Sequence, residues 1–166
     1  MIEYSLLKLV HLGALVFWLG PPFGAWLVLK FVAPLSTYTD PVAAKVSRVF
    51  YWTIILEHIA FAVLLITGFT LALKYGLMGA QWLDQKLLIV FLLVIPLEII
   101  DVCLGNWIAA RASKKLYGGQ TVTSWERKGL EIYHGLFTKV ALAIIPLAVL
   151  GIMYLAISKS TLDTLF

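Results

Sequence analysis

Between Trp82 and Arg111 the chain runs through apolar residues with few breaks, yet it carries Lys86 near one end and Glu98 and Asp101 deep inside. An ionisable side chain at the bilayer centre costs roughly 2.5–3.5 kcal/mol even on the lenient insertion scale. A helix holding three of them must turn them toward compensating groups and not toward lipid. Glu98 and Asp101 are spaced i,i+3, so they share a face. The other helices have to gather around that face.

The rest of the chain supplies such helices. It is 61% hydrophobic and 13% charged over 166 residues, against about 45–50% and about 25% in a soluble domain. Glu3 to Lys30 reads as a first span, since its apolar run far exceeds the roughly 7–15 residues of a signal-peptide core. Gly20-Pro21-Pro22 interrupts it and predicts a kink, because two prolines remove two helical donors. Gly24 predicts close approach of a neighbour. After the loop 34–41, Asp40-Pro41 fits an N-cap followed by proline at the first helical position. A second helix then reaches Lys74 and closes in the glycine-bracketed turn 75–79. Trp82 opens the third helix at an interface, where tryptophan is expected. The fourth begins around Thr123–Glu126 and runs to Ser158, leaving a tail from Ser160 to Phe166.

The expected fold is therefore all-α. It is a single integral membrane domain over 1–166, an up-down-up-down bundle with helices at about 3–32, 41–75, 82–112 and 123–158. One side holds Lys30, Lys45, Arg48, Arg111, Lys114, Lys115, Arg127 and Lys128; the other holds Lys8, Lys74, Lys86 and Lys159. The positive-inside rule puts the first group in the cytoplasm and both termini on the outer, periplasmic side of a bacterial inner membrane.

Depth along each helix sorts the polar groups. Counted from Arg48, Arg111 and Arg127, His58, Asp101 and His134 lie about 10–15 Å into the membrane, with Glu98 and Lys139 at about 18–20 Å. His11, counted from Glu3, lies about 12 Å in from the outer side, near the level of Lys86. The sequence thus predicts an outer polar layer of His11 and Lys86. An inner layer holds Glu57, His58, Glu98, Asp101, His134 and Lys139. Every histidine of the chain falls within a span, where polar residues tend to mark cofactors or proton paths. Neutral imidazole is a common axial ligand of haem iron, so His11, His58 and His134 are the candidate metal ligands. Trp18, at i+7 from His11, joins Phe17 and Trp26 as a candidate wall for a flat macrocycle. Met153 or Met78 is an alternative axial ligand. Asp101 or Glu98 opposite Lys139 would be simple charge neutralisation. A non-haem site of Glu98, Asp101, His58 and His134 is allowed by ligand chemistry, although the paired Glu-x-x-His motifs of di-iron bundles are missing. The single cysteine, Cys103, excludes an internal disulfide and reads as a small apolar filler.

Two stretches carry a resemblance. Lys8-Leu-Val-His11-Leu-Gly-Ala-Leu-Val-Phe-Trp18-Leu-Gly resembles the first-helix pattern of HemJ-type protoporphyrinogen oxidases and CopD-type copper-resistance membrane domains. Trp82-Leu-Asp-Gln-Lys86-Leu-Leu resembles the opening of their third helix. The resemblance implies haem b at His11 with Lys86 as its neighbour. Glu57-His58, Glu98-x-x-Asp101 and His134 stand outside that pattern and leave the substrate and a second haem open.

Three functions follow as expectations. The first is a haem b protein in electron transfer or oxidation of a hydrophobic substrate, a quinol or a protoporphyrinogen-like molecule. In it Lys86, Glu98 and Asp101 are the candidate catalytic residues, the carboxylates handling protons, and Arg48 or Arg111 pairs haem propionates. The second is copper or other metal-ion handling, for which three methionines and one cysteine form a thin ladder. The third is a non-catalytic accessory subunit. The expected partners are the lipid bilayer, a hydrophobic redox substrate or quinone, and either a second copy or a redox partner subunit. Nucleic acid is excluded because no basic patch interleaves with exposed aromatics. No Gly-rich phosphate loop and no Ser/His/Asp grouping occurs.

Overall fold

The computed structural model describes residues 2–34 and 38–161. The middle of the first loop and the last residues of the tail lie outside them. Among the described residues the chain is helical throughout, with no strand. Its four helices, α1 (Ile2–Val32), α2 (Pro41–Lys74), α3 (Gln81–Tyr117) and α4 (Ser124–Ser158), are each long and apolar enough to cross a membrane.

The ends form where local chemistry dictates. Asp40 accepts from the Val42 N–H at 2.8 Å with Pro41 at the first helical position, which satisfies one of the donors a helix start leaves open. Thr123 and Glu126 form a reciprocal capping box. Gly76 and Gly79 have φ of 64° and 87° in the turn between α2 and α3, and Gly119 has 69° between α3 and α4, a region glycine enters without penalty. α3 runs five residues past its expected end at 112, to Tyr117, because nothing in Ser113–Tyr117 stops a helix before Gly118.

α1 packs along α2, and α3 along α4; the start of α2 also meets the end of α3. Lys74 pairs with Glu3, and Lys115 with Glu126, so each helix pair is tied at one end. The Ser47 and Ser113 hydroxyls, 2.7 Å apart, join α2 to α3. Each helix also turns large apolar side chains outward, among them Phe17, Leu56, Leu92 and Leu147. Outward hydrocarbon of this kind is stable in lipid and costly in water.

α1 continues across Pro21 and Pro22 as one span; only the carbonyls of Phe17 and Trp18 lose their donors there. The expectation for Gly24 is corrected. Gly24 is exposed, and nothing approaches the place where its Cβ would sit. The close approaches occur at Gly68, Gly105 and Gly129.

Three stretches wind as π-helix: Val90–Val94, Val102–Ala109 and Tyr133–Phe137. The first lies just before Pro96, whose ring and missing N–H disturb the preceding turn. The other two meet each other, α3 against α4. Such wide turns recur at functional sites, and here they bracket Glu98 and Asp101.

Candidate functional site

Glu98 is the centre of the polar interior. It is 4% exposed, and the turn Ile95–Asp101 is regular α-helix, so the i,i+3 spacing does turn Glu98 and Asp101 to one side. The Trp18 indole N–H donates to Glu98 Oε1 at 2.7 Å. His58 Nδ1 lies 3.1 Å from Glu98 Oε2. One carboxylate therefore ties α1, α2 and α3 together. With the carboxylate accepting, the His58 proton sits on Nδ1. His58 Nε2 is then the free nitrogen, and it is buried without a hydrogen-bond partner. An imidazole fixed through Nδ1–H to a carboxylate, presenting Nε2, is how proteins orient a metal-ligating histidine.

His11 is fixed by the same logic from a different source. Its Nδ1 lies 3.1 Å from the Leu64 carbonyl and 3.0 Å from Thr67 Oγ1. A carbonyl can only accept, so Nδ1 is the donor. The Thr67 hydroxyl gives its own proton to the Val63 carbonyl at 2.7 Å, so it too receives from the ring. In the neutral ring this assignment leaves the lone pair on Nε2. The His11 ring lies on Gly68, whose Cβ would stand 3.0 Å from Cε1. Lys86 is within electrostatic range of this ring and forms no ion pair among the described residues.

The inner acids are brought together as well. Glu57 is 6% exposed and lies within electrostatic range of both Asp101 and Glu98; Asp101 in turn lies within range of His58. Although Glu57 and His58 are adjacent in sequence, both turn toward α3. Glu57 Oε2 and Asp101 Oδ1 are buried without partners. They line a cavity of about 470 Å³ with Trp18, Trp26, Tyr133 and Ile145. Buried carboxylate oxygens left unpaired are costly. The cavity where they sit is accordingly the place to look for a ligand.

The remaining candidates lie apart. His134 Nε2 is 2.9 Å from the Tyr51 hydroxyl, and its Nδ1 is buried without a partner. Arg48 is exposed beside a second groove of about 630 Å³, which it lines with Lys114, Ser47, Ser113 and Tyr117. Arg111 is exposed; neither arginine lines the cavity of Glu57 and Asp101. Lys139 is exposed and neutralises neither acid, because five residues carry it roughly 140° around the helix from His134. Phe17 faces outward at 69% exposure, leaving Trp18 and Trp26 as the aromatic wall. Met78 and Met153 are both exposed, which separates them from the buried histidine chemistry. Among the described residues no group of three or more His, Cys, Asp or Glu side chains is placed to hold a metal ion. Both Glu98 oxygens are engaged, one by Trp18 and the other by His58.

Several members of the site were not singled out from the sequence. Tyr51 stands seven residues before His58, on the same helical stripe, and that spacing could have marked it. Tyr133 precedes His134 and packs over Gly105; the only hint was a glycine inside an apolar run. Thr67 and Asn106, whose Oδ1 is buried and unpaired, gave no signal beyond being polar in a span.

No protein-family model matches the chain, and no curated protein or solved structure matches it either.

Proposed function

We propose that this chain is a haem b-binding membrane protein, taking part in electron transfer or in oxidation of a hydrophobic substrate such as a quinol or a protoporphyrinogen-like molecule. In this reading it is one up-down-up-down bundle in a bacterial inner membrane with both termini outside, as the eight-to-four division of basic residues favours. The observation that carries the reading is the fixed tautomer of His11. Two acceptors on α2 hold Nδ1–H, so a neutral ring presents the Nε2 lone pair that iron takes. His58 is prepared in the same way by Glu98, and it is the candidate for a second ligand. Haem, when bound, supplies one-electron chemistry. The protein's own part is to orient these rings, keep water out with Trp18 and its neighbours, and receive protons at Glu57 Oε2 and Asp101 Oδ1. The resemblance of the His11 and Lys86 stretches to HemJ-type and CopD-type proteins supports the same assignment. The copper-handling alternative has less behind it, since Met78 and Met153 face outward.

The test is a reduced-minus-oxidised spectrum of the protein purified in detergent. A sharp α band of haem b is expected, and His11→Ala should abolish at least part of it. His58→Ala and His134→Ala then report which other imidazole holds iron. A colourless preparation from porphyrin-replete cells, or a His11→Ala spectrum identical to the parent's, removes the assignment.

A further inference from the structure

We infer that the cavity between α1 and α4 is a binding site for a lipid-dissolved hydroquinone, whose two hydroxyls donate to Glu57 and Asp101. Three properties of the cavity select this chemistry. Its polar edge holds Glu57 from α2 and Asp101 from α3, each presenting a buried oxygen without a partner, and no lysine or arginine lines it. Two O–H donors, one at each oxygen, can satisfy both. Its walls are largely apolar and include the aromatic side chains Trp18, Trp26 and Tyr133. Its volume of about 470 Å³ falls in the range of small-molecule sites, roughly 300–1,000 Å³.

The route of access points to the bilayer. The close helix pairings are α1 with α2 and α3 with α4, so the cavity lies at the seam between the two pairs. Phe23 lines it and is also 52% exposed on the outer face of α1. A ring bearing an alkyl tail can enter from the hydrocarbon there and leave its tail in lipid. Trp18 also hydrogen-bonds Glu98, which holds His58, so the wall of the cavity is one side chain removed from the candidate ligand. The inference rests on the proposed redox reading only in taking this hydroquinone as the electron donor; the binding itself requires no haem.

The experiment is anaerobic titration calorimetry on the full chain in detergent, using a decyl-substituted benzohydroquinone. Saturable binding is expected. The dimethyl ether of the same compound, with the same ring and tail but lacking both donors, should bind about 10- to 100-fold more weakly, the loss expected for two hydrogen bonds. Glu57→Leu should weaken the hydroquinone comparably, and Ala141→Phe, which fills the cavity, should abolish binding. Equal affinity for the hydroquinone and its ether overturns the proposal, and so does binding of tetraphenylphosphonium in place of hydroquinone, which would make this a site for lipophilic cations. His11→Ala should bind hydroquinone as the parent does. Haem loss with hydroquinone binding intact is thus separable from failure of the cavity site.

Discussion

Glu98→Ala is expected to lower the unfolding free energy by about 2–4 kcal/mol. Its carboxylate is the shared acceptor of the Trp18 indole and the His58 ring. Removing it leaves two buried donors without partners, each costing about 1–3 kcal/mol. Interhelical hydrogen bonds in membranes average only about 0.6 kcal/mol, with a maximum near 1.7, because the unfolded helices find other partners in the bilayer. Two severed bonds alone would therefore account for little more than about 1 kcal/mol on that scale. The orphaned donors decide the outcome, since Trp18 is 2% exposed and cannot turn to another acceptor. Glu98→Gln keeps an oxygen for the indole and should recover most of the loss. Reversible unfolding in mixed detergent checks both; an alanine variant as stable as the parent would mean that Glu98 does not hold the helices together.

Gly105→Ala is expected to cost about 2 kcal/mol, although alanine is ordinarily the better helix former by about 0.5–1 kcal/mol. A Cβ at this position would stand 2.8 Å from three atoms of the Tyr133 ring, including its hydroxyl. Tyr133 is 2% exposed and stacks on Phe137 and Tyr51, so it has nowhere to retreat. Overpacking of this kind costs about 1–3 kcal/mol. Displacing Tyr133 also deforms the cavity it lines, so hydroquinone affinity should fall with stability. Gly24→Ala is the matched control: nothing lies within 4 Å of its Cβ position, and the variant should be neutral or more stable by about 0.5–1 kcal/mol. Thermal unfolding of the two variants side by side reads the difference. If both glycines tolerate alanine equally, the contact between the two π-helical stretches is looser than described.

Much of the local structure was legible in the residues themselves. Asp40-Pro41 and Thr123–Glu126 mark helix starts because their side chains answer backbone donors one turn away. The placement of Glu98 and Asp101 on one face followed from spacing, because the turn that holds them stays α-helical. The separation of His134 from Lys139 followed from the helical angle between them. The reading failed where the outcome depends on what another helix brings. Gly24 looks like Gly105 in sequence, and only the facing helix tells them apart.

The sequence by itself determined that the chain makes four apolar helices, where they begin, and that Glu98 and Asp101 share one face, although Lys139 turns outward. The reason is local and energetic: hydrocarbon tolerates apolar faces and punishes ionised ones, and caps act within a turn. Only the tertiary structure decided which nitrogen of His11 faces the Leu64 carbonyl and Thr67, that one carboxylate serves both Trp18 and His58, and that Glu57 and Asp101 share a cavity lined by no lysine or arginine. These depend on atoms 40 to 80 residues apart in the chain, whose meeting is set by helix packing and leaves no mark on the periodicity of any one helix.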